Sequence, residues 1–150
     1  MDGQKDIATL NTLIETTIDS ITGYEESARL IENERFRQIF RERADERQTV
    51  VEDLRGEVRR LGGDPEESGT LLGKAHQRFE DLKAAITGRD EKAIINEVER
   101  GEDYLKAKYE TALDSGLTGE CRAVVERAYQ SVRAGHDQIS QLKHGMETNA

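Results

Sequence analysis

The 150-residue chain is poor in several things, and each shortage narrows what it can be. It holds one proline and no tryptophan, and only 5% of its residues are aromatic. Helices that run without interruption are therefore favoured over a sheet built on aromatic and β-branched pairs. A lone cysteine, Cys121, excludes an internal disulfide and points to a reducing, cytoplasmic setting. At a position flanked by apolar helical neighbours it reads as a buried, inert thiol. No apolar run approaches the roughly 18 residues that a membrane-spanning helix requires, and no signal-like segment opens the chain. Basic charge is in deficit, the formal net charge being −9. Nucleic acid, whose phosphates demand a basic face, is therefore not expected as a partner, nor is an anionic membrane. Glycine-rich phosphate loops, nucleophile elbows and Cys/His zinc spacings do not occur.

What the chain does have is four apolar seams, each with steps of three and four residues. The first is Ile7, Leu10, Ile14, Thr17, Ile21, Tyr24, Ala28, Ile31, and the second Phe40, Ala44, Arg47, Val51, Leu54, Val58, Leu61. The third is Ile95, Val98, Glu102, Leu105, Tyr109, Ala112, and the last runs Cys121, Val125, Ala128, Val132, Gly135, Ile139, Leu142, Met146. Such spacing keeps one stripe of a helix facing its neighbours. The seams predict long helices over about 5–32, 34–61, 90–115 and 118–146 in a single domain spanning 1–150. Asn33 is a suitable N-cap for the second helix, and Gly62-Gly63 stops it. The short joints at Asn33 and at residues 116–119 require antiparallel hairpins, whereas residues 62–90 are long enough to travel the length of a bundle. That crossover is predicted to carry its own helix over about 68–87. The fold expected is all-α: an antiparallel four-helix bundle with a long crossover holding an extra short helix.

Charged exceptions in an apolar seam carry the most information. Arg47 and Glu102 are the charged members of these rows, and a buried charge needs a partner. Two readings of Arg47 are open. In one, its guanidinium takes the Glu102 carboxylate in a bidentate pair across helices, with Thr17 adding a hydrogen bond in the same polar layer. In the other, it snorkels from the seam edge to Asp45 or Glu46 in solvent. His136, one residue beyond Gly135, flanks the seam within reach of Glu99 or Glu102 and completes the expected buried polar layer of Thr17, Arg47, Glu102 and His136. The clusters Glu25-Glu26, Glu42-Asp45-Glu46 and Glu97-Glu99 read as solvated faces in so acidic a chain.

The segment from Phe40 to Leu54, with Ala44, Arg47 and Val50 on one face, resembles the second helix of rubrerythrin and other ferritin-like proteins, and Glu102 followed by Tyr109 resembles their metal-ligand helix. Over nearly its full length the chain resembles a bacterial ferritin-like four-helix-bundle family of unknown function. Gly23-Tyr24, the stretch Val58 to Gly63, Asp81 to Gly88, Glu99 to Asp103 and His136-Asp137 carry that likeness. The resemblance implies a di-iron site built from a glutamate on each of two helices and Glu-x-x-His on each of the other two. Carried over, those six positions fall on Thr17, Arg47, Val50, Glu102, Val132 and Gly135, and only Glu102 is a ligand-type residue. The ordinary site is therefore expected to be degenerate, with no metal or other cofactor held. The expected role is a non-catalytic, soluble interaction or stress-associated protein, self-associating as a homodimer or other homo-oligomer. Leu13, Ile18 and Leu30, beside the first seam, suggest extra burial of that kind. The alternative is an iron- or manganese-dependent oxidase or peroxide-handling protein with a rearranged site of Glu46, Glu99, Glu102 and His136.

Overall fold

A computed structural model of the protein describes residues 2–69 and 91–148. They form four α-helices: α1 (Asp2–Leu30), α2 (Glu34–Arg60), α3 (Glu91–Leu113) and α4 (Gly119–Thr148). No strand occurs among the described residues. The crossover helix expected over about 68–87 falls almost wholly outside them.

Local chemistry sets the helix ends. Three residues separate α1 from α2, and the Asn33 side chain accepts a hydrogen bond from the Phe36 amide at 3.2 Å, capping α2. The Arg37 guanidinium reaches back to the open carbonyls of Ala28 and Ile31 at the end of α1, at 3.0 and 2.6 Å. At the far end of α2, the Gly62 amide bonds the Arg59 carbonyl and the Gly63 amide the Val58 carbonyl, both at 2.9 Å. Gly62 adopts φ +86°, so this is a Schellman stop that needs glycine. Gly63 then lies so close to Ile7 that a Cβ there would come within 2.9 Å of its side chain. Between α3 and α4, Arg122 donates to the carbonyls of Leu113 and Leu117 and ties down the turn.

The helices pack as α1 on α2, α3 on α4, α1 on α3 and α2 on α4, which leaves α2 and α3 facing each other across the bundle diagonal. Every adjacent pair runs antiparallel. Thr17 of α1 meets Tyr109 of α3, and three residues on Ser20 meets the layer that holds Glu102. On the other side Arg43 meets Gln138 while Glu46 meets Ser131. Helices α2 and α3 are consequently parallel, so the end of α2 and the start of α3 lie at opposite ends of the bundle. The residues that directly follow α2 run along the flank of α1. The Asn11 side chain donates to the Asp64 carbonyl at 3.1 Å and accepts from the Glu66 amide at 2.9 Å, and Gly69 abuts Asp19.

The seams supply the core. Leu10, Ile14, Phe40, Leu54, Ile95, Leu105, Val125 and Ile139 are buried, and each large apolar side chain removed from water stabilises the fold by roughly 1.5–3 kcal/mol. One expectation needs correction. Leu13 is buried inside the chain and so is not available to a second subunit, while Ile18 and Leu30 are partly buried against the same core. Among the described residues the one exposed large hydrophobic side chain is Tyr104. No described helix is long and apolar enough to cross a membrane.

Candidate functional site

The middle of the bundle is polar, and all four helices contribute to it. Arg47 projects from α2 across the diagonal to Glu102 of α3, where Nη1 donates to Oε1 at 2.9 Å and Nη2 to Oε2 at 2.8 Å. The two side chains are 0% and 2% exposed. From α1, Ser20 Oγ accepts a further bond from Arg47 Nη1 at 2.5 Å, and the Tyr24 ring lies beneath the guanidinium, 5.6 Å from Cζ to the ring centroid. From α4 comes Gly135. A Cβ at that position would stand 2.5 Å from Arg47 Nη2 and 3.0 Å from the Arg43 side chain, so the guanidinium fits because residue 135 has no side chain.

A second polar contact lies one helical turn away. Thr17 Oγ1 donates to its own helix at the Leu13 carbonyl, 2.6 Å, which leaves it to accept from the Tyr109 hydroxyl at 2.8 Å. Thr17 thus belongs to the buried polar interior but bonds Tyr109, not the ion pair. Tyr24 packs on Phe40, ring centroids 5.8 Å apart. Its hydroxyl feels the charge of Glu102 but falls short of hydrogen-bond geometry, and Arg47 Nε is likewise buried without a partner.

Electrostatics keep the layer in one protonation state. Burial by itself would lower the Arg47 pKa, but the Glu102 charge and hydrogen bonds outweigh it and raise it, so the guanidinium stays charged. Burial, then the Glu102 charge, pushes the Tyr24 hydroxyl well above its ordinary value. Burial pushes Tyr109 up to about 12. Both phenols stay protonated at neutral pH. At the bundle end, burial with the Asp6 and Glu57 charges pushes the Cys121 thiol up to about 11, which makes it a poor nucleophile.

His136 stands outside the layer, a correction to its expected place there. One residue past Gly135 it is turned toward the α3–α4 seam, with Nε2 2.7 Å from Asp103 and Nδ1 3.1 Å from Asp137. The helical step of about 100° per residue is the reason: a residue next to an inward-facing glycine points to the flank. The other residues of the rearranged metal set are also dispersed. Glu46 bonds Arg43 and Ser131, Glu99 takes the Lys143 ammonium at 2.7 Å, and Glu102 is occupied by Arg47. Among the described residues no three His, Cys, Asp or Glu side chains converge on a point that would hold a metal ion. Sequence reasoning missed Ser20 and the part played by Gly135. Ser20 lies three residues after Thr17 and four before Tyr24 on the same stripe, and that spacing was the available signal.

Four long helices in two antiparallel hairpins, with α2 parallel to α3, form a four-helix bundle of the ferritin-like kind. Residues 5–115 match the domain of unknown function DUF2383, and the chain belongs to that family. The same architecture occurs in the crystal structure of a two-domain protein from Anabaena variabilis that contains DJ-1/ThiJ/PfpI-like and ferritin-like domains. The two share 18% identity with a TM-score of 0.77 over 99% of this chain, which spans 41% of that protein. No curated protein matches the sequence.

Proposed function

We propose that this chain is a non-catalytic ferritin-like bundle in which the Arg47–Glu102 pair takes the place of a di-iron centre, and that it serves as a soluble interaction or stress-associated protein. The observation that carries this reading is the guanidinium lying across the bundle axis, bidentate on Glu102. A di-iron centre needs several carboxylates and imidazoles around two cations. The residues here do not fit one: a single carboxylate, already neutralised, faces a fixed positive charge, a serine, a protonated phenol and a glycine. Two divalent ions would have to displace Arg47 and would find one anionic ligand. The buried Tyr24 and Tyr109 phenols and the Cys121 thiol are held protonated, so none of these three is a ready nucleophile or base. What the molecule presents to partners is its long charged faces, with a net charge of −9.

The test is elemental analysis of protein purified without a polyhistidine tag. Iron and manganese should be far below one equivalent per chain, before and after incubation with ferrous or manganous salt. One or two tightly held equivalents, lost on Glu102→Ala, would overturn the reading and promote an oxidase or peroxide-handling role.

A further inference from the structure

The central layer does more than pair two charges; it meets one chemical group with residues from the three other helices. Glu102 meets the edge of the guanidinium with both oxygens, Ser20 accepts from the same Nη1, the Tyr24 ring covers one face, and Gly135 leaves the space in which Nη2 lies. We propose, building on the reading above, that this layer is a built guanidinium-binding site whose resident ligand is the chain's own Arg47, and that the site selects a planar guanidinium over an ammonium or a metal cation.

The selectivity follows from the geometry. Two parallel N–H groups match the two carboxylate oxygens at 2.9 and 2.8 Å, a planar fork that the tetrahedral donors of an ammonium do not reproduce. The flat cation also presents a face to the Tyr24 ring, and guanidinium is more weakly hydrated than ammonium, so moving it into an interior where the partners are 0% and 2% exposed costs less. A metal ion would find one carboxylate and neutral oxygens in place of the further anionic donors it requires. Gly135 is the positioning residue: a methyl group there would stand 2.5 Å from Nη2 and press on Arg43 as well.

Two experiments test the proposal. In Arg47→Ala the site loses its tethered ligand while Glu102, Ser20, Tyr24 and Gly135 remain. Millimolar guanidinium or methylguanidinium, at constant ionic strength, should then raise the thermal midpoint of Arg47→Ala by several degrees, by mass action on the folded state. Ammonium and sodium should not, the wild type should not respond, and Arg47→Ala/Glu102→Gln should lose the response. Equal rescue by ammonium or sodium, or rescue that survives Glu102→Gln, would overturn it, as would no rescue of a folded Arg47→Ala. Should Arg47→Ala not fold, the second experiment decides. Gly135→Ala should lower the thermal midpoint clearly in the wild type and much less in an Arg47→Leu/Glu102→Leu background, where no charge is left unpaired, Nη2 is gone and only the flexible Arg43 must give way. A neutral Gly135→Ala, or equal loss in both backgrounds, would overturn the proposal. Metal content is unaffected by any of these outcomes, so a failure here is distinct from a failure of the non-metal reading.

Discussion

Two regions of charged hydrogen bonds connect helices in this bundle, and they differ in where the charges sit. At the centre, Arg47 and Glu102 are removed from water and joined by two hydrogen bonds. Along the α3–α4 flank, Tyr129–Glu110, His136–Asp103 and Lys143–Glu99 link the helices at half-exposed positions, with Asp103 62% exposed. The bonds are of similar length, 2.7–2.9 Å. Their energetic weight is not. A buried charge left alone forfeits its hydration, whereas a flank residue that loses its partner turns back to water. The same contact therefore enforces register in one place and adds only a margin in the other.

The comparison breaks most visibly at the centre. Arg47→Leu and Glu102→Leu alone should each lower stability by about 3–5 kcal/mol in urea titration, and the double variant should recover much of the loss. Additive losses would mean that the two groups are not coupled and that burial is not what distinguishes the centre. A smaller effect belongs to the neighbouring contact. Tyr109→Phe removes the bond to Thr17 but leaves the Thr17 hydroxyl bonded to the Leu13 carbonyl, so a loss of about 1 kcal/mol is expected. A loss as large as at Arg47 would place the neutral pair on the same footing as the charged one.

The flank sharpens the contrast through pH. Burial lowers the His136 pKa, but hydrogen bonds to Asp137 and Asp103 and the Asp103 charge outweigh it, and the pKa is raised. A group whose folded pKa is raised contributes fully below its unfolded value, near 6.5, and loses that contribution as pH rises through the folded value. The stability difference between wild type and His136→Gln should thus favour the wild type at pH 6 and shrink above neutrality, by less than about 1 kcal/mol. The NMR titration of His136 gives its folded pKa directly. Least of all is expected from Lys143→Ala, within about 0.5 kcal/mol and fading with added salt. A larger, salt-resistant loss would show that the flank is shielded like the centre.

How much of this was legible in the sequence depends on whether the determinant is local. Steps of three and four residues set four helices and the row each one buries, because a helix repeats every 3.6 residues whatever it packs against. Asn33 and the Gly62-Gly63 pair marked the ends of α2, since capping is a matter of a few adjacent residues. The same periodicity put Arg47 and Glu102 on inward stripes, where a charge must be answered. It could not choose between the Glu102 pair and snorkelling toward Asp45 or Glu46, because that depends on which helix lies opposite. Tertiary packing decided it: α2 and α3 face each other across the diagonal, and the bare Gly135 on α4 leaves room for the guanidinium between them. Packing likewise buried Leu13 within the chain and turned His136 from the layer to Asp103 on the flank. Periodicity along one helix states which way a side chain points; only the assembled bundle states what stands there to meet it.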